Sequence, residues 1–357
     1  MKLHELRIDT ASPEQPQASI MIIYTGGTAG MVLDKSKALV PFDFNLILEH
    51  MPVLKSFNLL LKVVSFDTPV DSSNINPEHW KLIAEIILHN YQTHDGFVVL
   101  HGTDTMAYTA SALSFMLEGL NKPVIFTGAQ LPVSSPRSDA HENLVTSLEI
   151  ASAQKDGRPI VPEVAIYFDY YLFRANRAKK VESQHFDAFN SENYPTLAEA
   201  GIAIEYNTDR ILPFVPGDHL KVSTSIDTAV TILKLFPGMS KTTVESVLST
   251  PGLKGVVMET FGAGNAPTTP WLVDCLSRAI DAGIIIFNVS QCPGGKVSQG
   301  RYETSKILDM IGVIGGNDIT LEAAITKMMY LLGTIKSKKE VKKLLSLPLR
   351  GEMDDRK

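Results

Sequence analysis

Cysteine is almost missing from this chain. Cys275 and Cys292 are the only two thiols among 357 residues, too few for a disulfide framework and not spaced as metal ligands, so a reducing compartment is expected. Long apolar runs are missing too. No stretch approaches the roughly 18 consecutive apolar residues of a membrane span, and the N-terminal "MKLHELRIDTASPEQPQASI" has no apolar leader core. A cytoplasmic protein with no membrane attachment is the expectation. Charge of one sign is scarce: 33 Lys and Arg stand against 39 Asp and Glu, a formal net charge of −6. That mild, dispersed balance lacks the concentrated positive face a phosphate backbone demands, and no nucleic-acid partner is expected. The one basic cluster, Lys336, Lys338, Lys339, Lys342 and Lys343, is interleaved with Val341, Leu344 and Leu345 and reads as a single helix with a solvated face. His89, His94 and His101 do not fall at metal-ligand spacing and no Glu joins them in a zinc-type helix motif, so no metal site is expected.

What the chain does have is the material for a core. Hydrophobic residues make up 44% and charged residues 20%, the balance of a globular protein. At about 150 residues per domain the length suggests two domains. The short runs "SIMIIY", "LLLKVVSF", "GFVVLHG", "PVIFTG" and "PEVAIYF", rich in β-branched residues, read as buried parallel strands. Between the second and third, Trp80, Ile83, Ala84, Ile87, Leu88 and Tyr91 repeat at helical spacing, behind Asn76 as N-cap and Pro77 at the first helical position. Such alternation predicts an open, doubly wound α/β sheet. The pattern lapses over residues 208–227, read here as a linker between an N-terminal domain (1–207) and a C-terminal one (228–357). In the latter, "TAVTILKLF", "GVVMETF" and "GIIIFNV" read as strands alternating with helices expected around Lys241–Leu248, Thr269–Ala282 and Ile319–Leu332. Two α/β domains follow, each an open, mostly parallel sheet flanked by helices, the second the smaller.

In open α/β sheets ligands collect beyond the carboxyl ends of the strands, so the residues just after each strand are where chemistry is sought. After the first come Thr25, Gly26, Gly27 and Thr28. No lysine follows Gly30, as a phosphate-binding loop requires, and the glycine spacing fails the dinucleotide fingerprint. Two readings stay open: a Gly-Gly turn through positive φ, or a clearing in which a threonine hydroxyl faces a substrate. After the second strand, Asp71, Ser72, Ser73 and Asn74 form either a turn and cap or a set of hydroxyl and N–H donors for a small carboxylate. After the third, Thr103 and Asp104 in "HGTDTM" sit at a helix start; either can be an N-cap, and together they can line an acidic pocket for an ammonium group. Later, "YYLFRANRAKK" carries Lys179 and Lys180 to the same sheet edge. A surface lysine is the ordinary reading, whereas a lysine drawn into a pocket can lose its proton and act as a base.

Taken in order, "TGGTAGM", "DSSNINPEHW", "HGTDTM", "TGAQLP", "FRANRAKK", "GAGNAP", "GVIGGNDIT" and "LRGE" resemble the type I (cytoplasmic) L-asparaginases of the bacterial asparaginase family, over nearly the whole chain. "TGGT" and "HGTDT" are the family's two signature segments and are specific as a pair. The resemblance implies hydrolysis of L-asparagine to L-aspartate and ammonia without metal or organic cofactor, through an aspartyl-enzyme intermediate. It makes Thr28 similar to the family's nucleophile, and Thr103, Asp104 and Lys180 similar to its Thr-Asp-Lys constellation. Lys180 rather than Lys179 is the match, because the family's lysine lies three residues after the arginine that here is Arg177. Asp104 would pair with the α-ammonium of the substrate, Ser72 and the backbone of Asp71 and Ser73 with its α-carboxylate, and backbone N–H groups of the "GTD" and "GAQ" turns, Ala129 among them, with the forming oxyanion.

The chain departs from the pattern twice. The loop after "TGGT" usually carries a tyrosine that orients the nucleophile, yet "VLDKSKALVPF" has none; Leu39 stands near its position, and Phe42 or Phe44 can close a pocket but cannot donate a hydroxyl. Some type I relatives bind a regulatory asparagine through an arginine just before "GAGNAP"; here Glu259 takes that place, although Cys292 is retained. The family assembles as homodimers or homotetramers, which makes Asn265 a contact toward a neighbour's site. In related enzymes glutamine can stand at the position of Ser73, which bears on asparagine-versus-glutamine selectivity. Alternatives are a mixed glutaminase-asparaginase, a tRNA-dependent amidase subunit, which normally carries an extra domain ahead of its asparaginase part, and a non-hydrolysing asparagine sensor.

Overall fold

The five apolar runs of the N-terminal half lie side by side. The computed structural model describes residues 3–10, 15–27, 31–33, 39–41, 51–298, 300 and 303–355. In it β1 (Leu3–Asp9), β2 (Ala18–Tyr24), β3 (Leu59–Phe66), β4 (Gly96–Leu100), β5 (Val124–Thr127), β6 (Val164–Phe168), β7 (Tyr171–Arg174), β8 (Ala198–Ala200) and β9 (Ile204–Tyr206) form one sheet in the order β1-β3-β2-β4-β5-β6-β7-β8-β9. The central five pair parallel, as their unbroken apolar runs predict. Every residue of β4, β5 and β6 is buried. The edges are antiparallel: β1 runs against β3, and β6, β7, β8 and β9 alternate in direction. These edges are the part of the sheet that the apolar runs do not announce, because an edge strand with one wet side needs only alternation.

Helix α1 (Pro77–Asn90) starts where expected. The Asn76 side chain accepts from the Glu78 N–H at 3.0 Å, and His79 Nδ1 accepts from the Asn76 N–H at 3.1 Å, a reciprocal cap with Pro77 at the first position. Helix α2 (Met106–Met116) is buried along nearly its whole circumference, which its Ala, Ser and Thr residues permit. Helix α3 (Ala140–Ser152) packs on β4 and β5.

The chain divides into two compact units, one of Met1–Ser191 with Pro195–Val222, the other of Glu192–Tyr194 with Ser223–Lys357. The aperiodic stretch 208–227 starts in the first and enters the second at Ser223. Its lack of pattern has a cause in the first unit, where it is held by side chains and, at its end, by one two-residue antiparallel pairing of Lys221–Val222 with Leu117–Glu118. Leu212 N–H donates to Glu163 Oε1 at 2.7 Å, Arg174 Nη2 donates to the Arg210 carbonyl at 2.7 Å, and Val215 N–H donates to Asn121 Oδ1 at 2.9 Å.

The second unit is a parallel sheet of β10 (Val230–Lys234), β11 (Gly255–Thr260), β12 (Ile285–Ser290) and β13 (Ile314–Gly315), in that order. Around it lie α4 (Lys241–Leu248), α5 (Pro270–Asp281), α6 (Glu303–Met310), α7 (Leu321–Thr334) and α8 (Lys338–Leu345). One core joins Leu233, Val256, Met258, Leu272, Leu276 and Ile286. Helix α8 is the lysine-rich segment; it buries Val341 and Leu345 and leaves Lys338, Lys339 and Lys343 exposed.

Candidate active site

Strand order reverses between β2 and β4, and there the carboxyl-end loops converge. Thr25 ends β2: its N–H and its hydroxyl both donate to the Leu100 carbonyl at 3.0 Å. Gly26 and Gly27 then take φ of +135° and +87°, conformations that L side chains rarely adopt. The room they leave is filled by backbone. A Cβ on Gly26 would stand 2.2 Å from the Val70 carbonyl oxygen, and one on Gly27 2.5 Å from the Gly102 nitrogen. The positive-φ turn is therefore real, and the glycines let three loops touch main chain to main chain. Thr28, Phe42 and Phe44 lie outside the described residues, as does the side chain of Leu39.

Beyond β4 the chain forms a single 3₁₀ turn, Thr103–Thr105, before α2. Neither Thr103 nor Asp104 caps a helix with its side chain. Both are turned to Lys180 instead. Lys180 Nζ donates to Thr103 Oγ1 at 2.7 Å and to Asp104 Oδ1 at 2.7 Å. The lysine side chain is 17% exposed and the aspartate 65%, so the stem is sheltered while the carboxylate remains open to a ligand.

Lys180 is aimed by two anchors. Lys179 and Lys180 pair with Asn190 and Phe189 in a short antiparallel ladder, and Phe189 is buried with its ring 5.1 Å from that of Phe168. Just upstream, a 3₁₀ turn, Ala175–Arg177, lies buried against α2, where Asn176 Nδ2 donates to Ser114 Oγ at 3.0 Å. One buried helix thus carries the Thr103–Asp104 turn at its start and braces the approach to Lys180 along its side.

The "DSSN" segment is a capped turn. Asp71 Oδ1 accepts from the Ser73 N–H and from the Ser73 hydroxyl, each at 2.8 Å, and these bonds hold the Asp71 carboxyl below its usual range. Ser72 is buried, its carbonyl accepts from Thr105 Oγ1 at 2.6 Å, and its side chain fills the space where Gly102 has no Cβ. Ser72 therefore joins the Thr103 turn directly, while Ser73 is engaged with its own cap.

Ala129 is buried in the turn after β5. In that turn Asp139, at the start of α3, accepts from the Gln130 N–H at 2.9 Å and the Leu131 N–H at 3.1 Å, and Asn143 Nδ2 donates to the Gly128 carbonyl at 3.0 Å. Gln130 reaches across the site: Thr103 Oγ1 donates to its Oε1 at 3.3 Å, and its Nε2 donates to the His185 carbonyl at 2.9 Å. Gln130 and Asp139 escaped the reading of strand ends. Gln130 sits inside the "TGAQLP" motif with no spacing that assigns its side chain a role, and Asp139 lies nine residues further on with only "RSDA" to mark it.

Among the described residues no group of three or more His, Cys, Asp or Glu could hold a metal ion, and no helix is long and apolar enough to cross a membrane. Fold and cluster together define a doubly wound α/β protein with its polar site at the switch point. The family model "Asparaginase, N-terminal" matches residues 19–212, the model "Glutaminase/Asparaginase C-terminal domain" matches residues 229–345, and the chain belongs to the asparaginase family. It is 40% identical over 347 residues to L-asparaginase 1 of Escherichia coli (strain K12), covering 94% of this chain and 98% of that one. The crystal structure of L-asparaginase I from Vibrio cholerae O1 biovar eltor is similar with a TM-score of 0.85 at 40% identity, covering 94% of this chain and 99% of that one. A 60 kDa lysophospholipase of Mus musculus is 39% identical over 361 residues, covering 95% of this chain and 63% of that protein.

Proposed function

We propose that the protein hydrolyses the side-chain amide of L-asparagine, giving L-aspartate and ammonia, through a threonine nucleophile and an aspartyl-enzyme intermediate. The observation that carries this reading is Lys180 Nζ at 2.7 Å from both Thr103 Oγ1 and Asp104 Oδ1, at the switch point of a chain of the asparaginase family. An amide is a poor electrophile, so an attacking hydroxyl must lose its proton as it bonds to the carbonyl carbon. Thr28 is the nucleophile in this reading. Lys180, coupled to Thr103 and Asp104, relays the proton to the departing ammonia, and water then cleaves the ester formed on the threonine.

Asp104 pairs with the α-ammonium and the buried Ser72 turn receives the α-carboxylate. The Gln130 N–H is engaged with Asp139, so within the "GAQ" turn the oxyanion role falls to Ala129. We further propose that the protein acts in the cytoplasm as a homodimer or homotetramer, with Asn265 in the turn that closes on Phe261 facing a neighbouring subunit.

Ammonia and aspartate release from L-asparagine and from L-glutamine, run side by side, tests the reading. Hydroxylamine added to the asparagine reaction should divert product to the β-hydroxamate, the signature of an acyl intermediate. A folded protein that binds asparagine and releases no ammonia would make it a sensor, and equal turnover of both amides a mixed glutaminase-asparaginase.

The rate curve for asparagine is expected to be hyperbolic, with a Hill coefficient near 1. Glu259 stands where cooperative relatives carry a cation; it is 6% exposed, with Lys234 Nζ 3.9 Å away. A second asparagine would meet a carboxylate where its own carboxylate needs an arginine. A strongly sigmoidal curve defeats this expectation.

A further inference from the structure

Gly102 precedes the two residues on which the site turns, and it cannot be anything larger. A Cβ there would lie 2.7 Å from Ser72 Cβ and Oγ, and its nitrogen is already against Gly27. Glycine is also the residue with the most backbone freedom. The φ of −66° and ψ of 143° at Gly102 fix the direction in which Thr103 and Asp104 leave the sheet, so something other than a side chain of its own must hold that peptide.

His101 supplies the restraint. Its Nδ1 lies 2.7 Å from the Gly102 carbonyl oxygen, and its Nε2 lies 3.0 Å from Thr109 Oγ1 on α2. Thr109 Oγ1 in turn accepts from Trp80 Nε1 on α1 at 3.1 Å. The whole chain is buried, with Thr109 at 0% and His101 at 1% exposure. Its polarity is determined. A carbonyl only accepts, so Nδ1 carries the proton, and Nε2 accepts the one hydroxyl proton of Thr109. Burial pushes the imidazole down to about 4, so the ring stays neutral and this tautomer persists across the working range.

We propose that His101, braced by Thr109 and Trp80, is a positioning residue that locks the Gly102 carbonyl and thereby holds Thr103 and Asp104 against Lys180. The proposal rests on the asparaginase reading for its kinetic test but not for its spectroscopic one. His101 touches no substrate in this arrangement. It acts through one peptide group, and misplacement of a reacting group by about 1 Å lowers turnover on the order of a hundredfold.

Three substitutions separate this role from simple packing. In His101→Asn the side-chain amide nitrogen takes the place of Nδ1 and still donates to Gly102, whereas His101→Gln reaches Thr109 and loses that bond, and His101→Leu loses both. The expected order of kcat is wild type, then Asn within about threefold, then Gln and Leu lower by roughly 10- to 100-fold with KM little changed. Thermal unfolding monitors the fold of each variant. In the wild-type protein, ¹⁵N NMR of the imidazole should report a neutral ring protonated at Nδ1 from pH 5 to 9. Equal loss in folded Asn and Leu variants, full activity in Leu, or a ring protonated at Nε2 would each overturn the proposal. An inactive wild type with the Nδ1–H ring present would instead remove the asparaginase reading and leave the lock standing.

Discussion

Replacing Lys180 with methionine is expected to lower asparagine turnover by roughly 10³- to 10⁴-fold while the unfolding midpoint stays near that of the wild type. General acid–base groups contribute on the order of 10²- to 10⁴-fold, and this ammonium is the group that bridges Thr103 and Asp104. Methionine preserves the length and apolar stem of the side chain. Removing the charge frees Asp104, but that carboxylate is 65% exposed and rehydrates readily, so little stability is lost. Lys179→Met is the control, since Lys179 alternates to the opposite side of the same two-residue strand. Thr28→Ala should lose turnover as fully and also lose hydroxamate formation. Full activity in Lys180→Met would move the role to Lys179, and undiminished trapping in Thr28→Ala would move the nucleophile to Thr103.

A second large effect is expected within the C-terminal unit. Lys327 and Glu352 are both wholly buried, with Nζ 2.7 Å from Oε1. Lys327 also donates to the Leu345 and Leu347 carbonyls at 3.1 and 2.6 Å, and Glu352 accepts from the Leu349 and Arg350 N–H groups at 3.0 and 2.7 Å. The pair fastens the "LRGE" segment to α7, which itself covers β10, β11 and β12. Lys327→Met strands a buried carboxylate and should destabilise the protein by about 3–5 kcal/mol, read as a lower urea midpoint. Adding Glu352→Gln removes the stranded charge, keeps an acceptor for the two N–H groups, and should recover a substantial part. A loss below about 1 kcal/mol for the single variant would show that the pair does not anchor the tail.

Much of this was legible because burial leaves a local mark. "GFVVLHG" and "PVIFTG" read as interior parallel strands since both faces of β4 and β5 are covered and no position can be polar. Asn76 and Pro77 announced α1 because a cap is a contact between residues two or three apart. The edge strand β1, "LHELRID", has no unbroken apolar run to announce it, since it pairs on one side only. In the site, Thr103, Asp104 and Lys180 were marked by motif, and the structure brings the three together. Gln130 and His101 lie inside quoted motifs and Asp139 outside them, yet no local pattern shows what their side chains do, because that depends on where the fold brings their partners.

The sequence by itself determined the interior strands and the capped helices, the order in which they follow, and the residue types at their ends, since these depend on periodicity, capping and turn chemistry within a few neighbours. Only the tertiary structure decided which strand ends meet. Thr103 and Lys180 are 77 residues apart and become partners because α2 packs on β6, while Phe189 of the Lys180 ladder meets Phe168 at the end of β6. Contacts of that range depend on the register of elements whose own sequences carry no record of the partner. The same holds for the glycines after β2: in the sequence they left open a turn or a clearing, and in the fold each is the point where one backbone passes against another.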